Sequence, residues 1–138
     1  MRARLMMLAS LGLAAAGCGG THHAVAACSN TDNALNGTAF VFVSAPVIGA
    51  RVSSGFTVTG CSKSFESTVD WELTDRDGRT LAKGVTQGGG LRPGPFHFTV
   101  RYTLVTAELG ELDVATPRVT DEGFPPLTNV VPLVLAAS

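Results

Sequence analysis

A chain of 138 residues with ten basic and eleven acidic side chains carries a formal net charge of −1, and neither sign runs together. That balance excludes nucleic acid, and charge-driven attraction to anionic lipid, as the main partnership; the length excludes a second core. Three cysteines, an odd number, need an account that includes the compartment.

Arg2 and Arg4 precede an apolar run from Leu5 to Ala16, and Gly17, Gly19 and Gly20 follow, which is the layout of a secretory signal peptide. The run is too short to span a bilayer as a helix. Leu13-Ala14-Ala15-Ala16-Gly17-Cys18 resembles the lipobox of bacterial lipoproteins, departing from it at Ala15, where Leu is commonest. The resemblance implies cleavage after Gly17 and a lipid on Cys18 that holds the chain on the extracytoplasmic side of a bacterial membrane. Ala24-Val25-Ala26, a site for an ordinary signal peptidase, and Val25-Ala26-Ala27-Cys28, itself lipobox-like, are the alternatives; both lie beyond the polar Thr21-His22-His23. Residues 1–17 are thus read as leader, 18–37 as a lipidated flexible tether rich in Gly, Ala, Ser, Thr and Asn, and 38–138 as the folded domain.

With Cys18 carrying lipid, Cys28 and Cys61 remain as an even pair in an oxidising compartment, and one disulfide between them is the simplest expectation. Two free thiols, or a zinc site with His22, His23 and His97, are the other readings. Zinc lacks any Cys-x-x-Cys or paired metal spacing. No cofactor or metal is predicted.

The first strand is expected at Ala39 to Val43, followed by a Pro- and Gly-punctuated crossing, Pro46 to Val52, suited to a sheet edge. Phe56 and Val58 share one face of the next strand and Thr57 and Thr59 the other; Val69, Trp71 and Leu73 then oppose Asp70 and Glu72. Asp75-Arg76-Asp77-Gly78 supplies a hairpin turn, and Thr80 to Thr86 returns. Gln87 to Pro95, with Gly88-Gly89-Gly90, reads as a flexible loop. Phe96, Phe98, Val100, Tyr102 and Leu104 alternate with His97, Thr99, Arg101 and Thr103, the clearest period of two in the chain. Leu109-Gly110-Glu111 is expected to turn the chain into Leu112 to Thr116, and a last strand covers Leu127 to Leu135. Seven short strands at intervals of roughly ten residues predict an all-β, immunoglobulin-like antiparallel sandwich, with a small closed barrel as the alternative.

Three ordered motifs carry a family resemblance: Pro46-x-x-Gly49-x-x-Val52, Ser54-Gly55-Phe56-Thr57-Val58-Thr59-Gly60, and Phe65-Glu66-x-x-Val69-x-Trp71-x-Leu73-x-Asp75-x-x-Gly78. Over about residues 38 to 135 the chain resembles the immunoglobulin-like domain of bacterial spore germination proteins, found widely in secreted proteins and lipoproteins. The resemblance implies a non-enzymatic module outside the cytoplasmic membrane that serves adhesion or protein contacts.

Chemistry-bearing patterns are thin. There is no Gly-x-Ser-x-Gly elbow, no His-Glu-x-x-His and no phosphate loop between strand and helix. His97 falls on the polar side of its strand, and Trp71 with Phe56, Phe96 and Phe98 reads as core. No catalytic residue is predicted. If consecutive strands run up and down, the loops Ser62 to Ser67, Gln87 to Pro95 and Asp121 to Pro126 emerge at one end. They present Lys63, Phe65, Glu66, Arg92, Asp121, Glu122 and Phe124, a mixture suited to a modest protein interface. The function expected is a protein-binding or structural module in the bacterial envelope; a small-ligand sensor with a cavity beside Trp71, or an accessory to a cell-wall enzyme, are the alternatives.

Overall fold

Period-two alternation becomes eight strands in the computed structural model, which describes residues 28–30, 32–117 and 126–138. They are β1 (Phe40–Ala45), β2 (Arg51–Val52), β3 (Phe56–Lys63), β4 (Thr68–Asp75), β5 (Thr80–Gln87), β6 (Gly94–Val100), β7 (Glu108–Ala115) and β8 (Thr128–Leu135). A three-stranded sheet, β1-β3-β6, faces a five-stranded sheet, β2-β8-β7-β4-β5. All pairings are antiparallel except the two-residue β2, which runs parallel to β8. The expected sandwich is present, with one short strand more than the seven read from the sequence.

Every second side chain fills the space between the sheets. Val58, Val69, Leu73, Val100, Leu112, Val114, Leu133 and Leu135 are fully buried there, with Phe96, Phe98 and Tyr102 from β6 and its continuation. Trp71 stacks on Phe98 with centroids 4.8 Å apart and planes 9° from parallel. A Cβ on Gly84 would lie 2.7 Å from the Trp71 ring, so the indole lies directly on the bare β5 backbone. Phe98 and the β5 backbone therefore both pack directly against the Trp71 ring. Tyr102 reaches across the core, its hydroxyl 2.9 Å from the Val52 carbonyl and 3.0 Å from that of Ala136.

Side chains stitch the two free edges of the small sheet to the large one. The Asn129 carboxamide oxygen on β8 accepts from the Val43 N–H at 2.6 Å, and the Thr86 hydroxyl on β5 donates to the His97 carbonyl at 3.1 Å. Both bonds occupy edge groups that would otherwise invite pairing with another chain.

The Asp75–Gly78 turn forms as expected, with Gly78 at φ +78° and Asp75 as its organiser. The fully covered Asp75 carboxylate accepts from the N–H groups of Asp77 and Arg79 and from the Arg79 guanidinium, all within 2.9 Å. The Arg79 N–H, ahead of its side chain and the Asp77 N–H, holds this carboxyl below its ordinary range, although burial pulls the other way. A depressed pKa stabilises the fold above the unfolded carboxylate value and loses that contribution as pH falls through the folded one. Asp75→Ala is accordingly expected to lower the urea midpoint at pH 7, with the gap to the parent narrowing below about pH 4. Equal midpoints at pH 7 would remove the role given to this carboxylate.

Two expectations need correction. Leu109-Gly110-Glu111 is not a turn but the body of β7, because Gly110 pairs with Leu133 where a Cβ would meet Leu135 at 2.4 Å and the Thr74 carbonyl at 2.7 Å. Glycine there permits close approach within a sheet rather than a reversal; the reversal falls earlier, at residues 101–107. The Gly88–Gly90 stretch is also packed rather than loose. Cβ atoms on Gly88 and Gly89 would lie 2.1 Å from the Ser62 hydroxyl and carbonyl oxygens respectively.

Candidate functional site

Three connections gather at one end of the sandwich, where β3 and β5 finish and β4 and β6 begin. Beyond Lys63, a single 3-10 turn at Phe65–Ser67 holds Glu66 and Ser67 in left-handed conformations, φ +60° and +58°. Non-glycine residues adopt that region only when their surroundings enforce it. Here the Ser64 hydroxyl donates to the Thr68 carbonyl at 2.7 Å. Ser64 N–H donates to Gly89 O at 3.0 Å, Gly88 N–H to Ser67 O at 2.8 Å, and Gly89 N–H to the Ser62 hydroxyl at 3.1 Å. The clamp ties the two loops into one surface and turns Phe65 and Glu66 outward. Phe65 is 72% exposed and, across a groove of about 420 Å³, Leu91 is 98% exposed.

Of the expected interface residues, Lys63, Phe65, Glu66 and Arg92 thus come from two loops brought together, with Lys63 half-buried and Arg92 exposed. Asp121, Glu122 and Phe124 lie outside the described residues. The base of their connection is at this same end, since β7 finishes and β8 starts beside Asp70, and Thr116 and Leu127 are joined by two hydrogen bonds of 2.9 and 3.0 Å. Leu91 was not among the expected residues. Its signal was available: a large apolar side chain directly after three glycines has no strand to bury it.

Cys28 and Cys61 form the expected disulfide. Cys61 points to the outer face of the small sheet, opposite Phe42, and is fully buried. Residues 32–37, expected as part of a tether, make turns: Asn36 N–H donates to Asn33 O, Ala34 N–H to the Asp32 carboxylate, and Leu35 N–H to the Asn30 side chain. Cys18, the expected lipidation site, lies outside the described residues, as do His22 and His23.

A second surface was missed. On the outer face of the large sheet, the register sets Glu72 beside Asp113 and Thr74 beside Glu111, so that Asp70, Glu72, Glu111 and Asp113 share one face. Burial, then Glu111 and Glu72, push the Asp113 carboxyl above its ordinary value. Alternation in β7 points each acid outward, but only strand order makes them neighbours. Among the described residues, no group of three or more His, Cys, Asp or Glu side chains is arranged to hold a metal ion.

Comparison with known proteins bears on the family. No curated protein matches the sequence. Among solved structures, CopC from Methylosinus trichosporium OB3b is 12% identical with a TM-score of 0.47, over 72% of this chain and 95% of that one. The E. coli chaperone DraB is 16% identical with a TM-score of 0.43, over 70% of this chain and 55% of its own. Likeness at this level carries no functional argument. Residues 40–121 match the model of the Gmad2 family, and with its sandwich of two β-sheets the chain belongs to that family, the immunoglobulin-like domain of bacterial spore germination.

Proposed function

We propose that this protein is a non-enzymatic, lipid-anchored module of the bacterial envelope, attached through Cys18, that makes protein contacts with the loop end of its sandwich. The observation that carries the reading is the clamp between Ser62–Thr68 and Gly88–Gly89, which presents Lys63, Phe65, Glu66 and Arg92 on one rigid platform. A mixed aromatic and charged patch of this kind suits a modest interface. Asp121, Glu122 and Phe124, outside the described residues, are included in this surface on the sequence reading alone. Family membership favours a contact module over an enzyme, and the packing of Phe98 and the β5 backbone against the Trp71 ring counts against a ligand held between the sheets.

The test is co-purification after crosslinking in intact cells. Replacing Lys63, Glu66 and Glu122 together by serine is expected to abolish recovery of the partner captured by the parent protein while leaving the melting temperature unchanged. Undiminished recovery would exclude these loops as the contact surface.

A further inference from the structure

The place where the N-terminal segment is fastened has a consequence for orientation. Cys61 lies two residues from the end of β3, so the disulfide holds Cys28 about 7 Å below the loop end and about 17 Å from the far end of that strand. The segment from Cys18 to Cys28, ten residues on, spans at most about 35 Å when extended. As a relaxed coil it spans roughly 17 Å. The loop end therefore lies well inside the relaxed span of the segment, whereas the opposite end lies at the limit of that span.

The side chains at the loop end match that placement. Phe65 and Leu91 protrude on either side of the groove, on a turn and a glycine-rich loop clamped from below, with Lys63 two residues before Phe65 and Arg92 directly after Leu91. Exposed apolar tips beside cations fit the boundary between headgroups and acyl chains: the apolar groups enter, and the cations stay at phosphate level. The overall charge of the chain supplies no such attraction, so the fit is local.

We infer that the loop end is seated on the membrane that holds the anchor, with Phe65 and Leu91 immersed in its interface. The inference rests on the anchored reading above. It also narrows the partner: a protein met by Glu66 and Arg92 at headgroup height is itself embedded in, or lies flat on, the same bilayer.

The experiment uses the full lipidated protein on phosphatidylcholine–phosphatidylglycerol vesicles containing brominated acyl chains, which quench nearby tryptophan. Three variants each add one tryptophan to the constant Trp71 background: L91W and F65W at the loop end, and I48W at the opposite end, where Ile48 is 74% exposed. Flotation with vesicles reports the anchor. The expected result is flotation of all three, with the added fluorescence of L91W and F65W quenched by at least half and that of I48W unchanged. Flotation with quenching of I48W alone, or of none of the three, overturns the orientation and leaves the anchored reading standing. Failure to float overturns both. Leu91 is almost wholly exposed, so L91W does not depend on repacking.

Discussion

Replacing Cys28 and Cys61 together by alanine is expected to lower the stability of the domain by roughly 3 to 4 kcal/mol in the chain-entropy account of a cross-link. The two residues are 33 apart in sequence, and the loop they close contains β1, the reversal through β2 and most of β3. In the unfolded chain the bridge removes the freedom of that whole loop; in the folded chain it holds Cys28 at Cys61 on the outer face of the small sheet. A loss of this size is a large share of what a domain of about 110 residues possesses. Urea unfolding of the variant should show a lower midpoint, and the parent protein unfolded with reductant should coincide with it. Equal midpoints for variant and oxidised parent would mean that the bridge contributes nothing to the fold.

A comparable effect is expected at Phe96, for an unrelated reason. Its ring is almost fully buried, lies 6.1 Å from Phe98, and covers Gly60 on the neighbouring strand. Phe96→Ala should cost about 3 to 5 kcal/mol through lost burial and the cavity left behind. Gly60→Ala tests the same contact from the other side. The added Cβ would fall 2.3 Å from the Phe96 ring and 2.2 Å from the Phe42 carbonyl oxygen, so overpacking of about 1 to 3 kcal/mol is expected. Combined, the two changes should be less damaging than their sum by about 0.5 kcal/mol or more, because the new methyl enters space that the ring has vacated. The relief stays partial, since the Phe42 carbonyl remains in place. Strict additivity in chemical unfolding would mean that ring and glycine do not meet as described.

Both changes bear on function through the loop platform. Gly60 is two residues from Ser62, and Phe96 is two residues from Gly94, the ladder partner of Ser62, so loosening them loosens the clamp that presents Phe65 and Leu91. Loss of partner recovery in a Phe96 variant would therefore report instability. Loss in the Lys63, Glu66 and Glu122 variant, with melting unchanged, would report recognition.

Much of the architecture was legible because a strand with one dry face must alternate. Phe96 to Leu104 and Val69 to Leu73 gave their orientation this way, and His97 falls on the solvent side as expected. The Cys28–Cys61 pairing was legible from the count of three thiols once Cys18 was set apart by its lipobox-like context. Glycine misled twice, because a missing Cβ serves a turn and a close contact equally well. At Gly78 it allows a positive φ; at Gly110, Gly88 and Gly89 it admits a neighbouring residue that no local pattern could name.

The sequence by itself determined which residues face inward, and it favoured the sandwich class, the cysteine bridge and a common end for the loops after β3 and β5, since each depends on alternation, parity or number. Tertiary structure alone decided that Ser62 and Gly89 lock two loops together, that Leu91 stands across a groove from Phe65, and that four carboxylates become neighbours on the large sheet. Those facts depend on strand order and on distances between residues far apart in the chain. Local periodicity fixes the direction of a side chain and not the identity of what it meets.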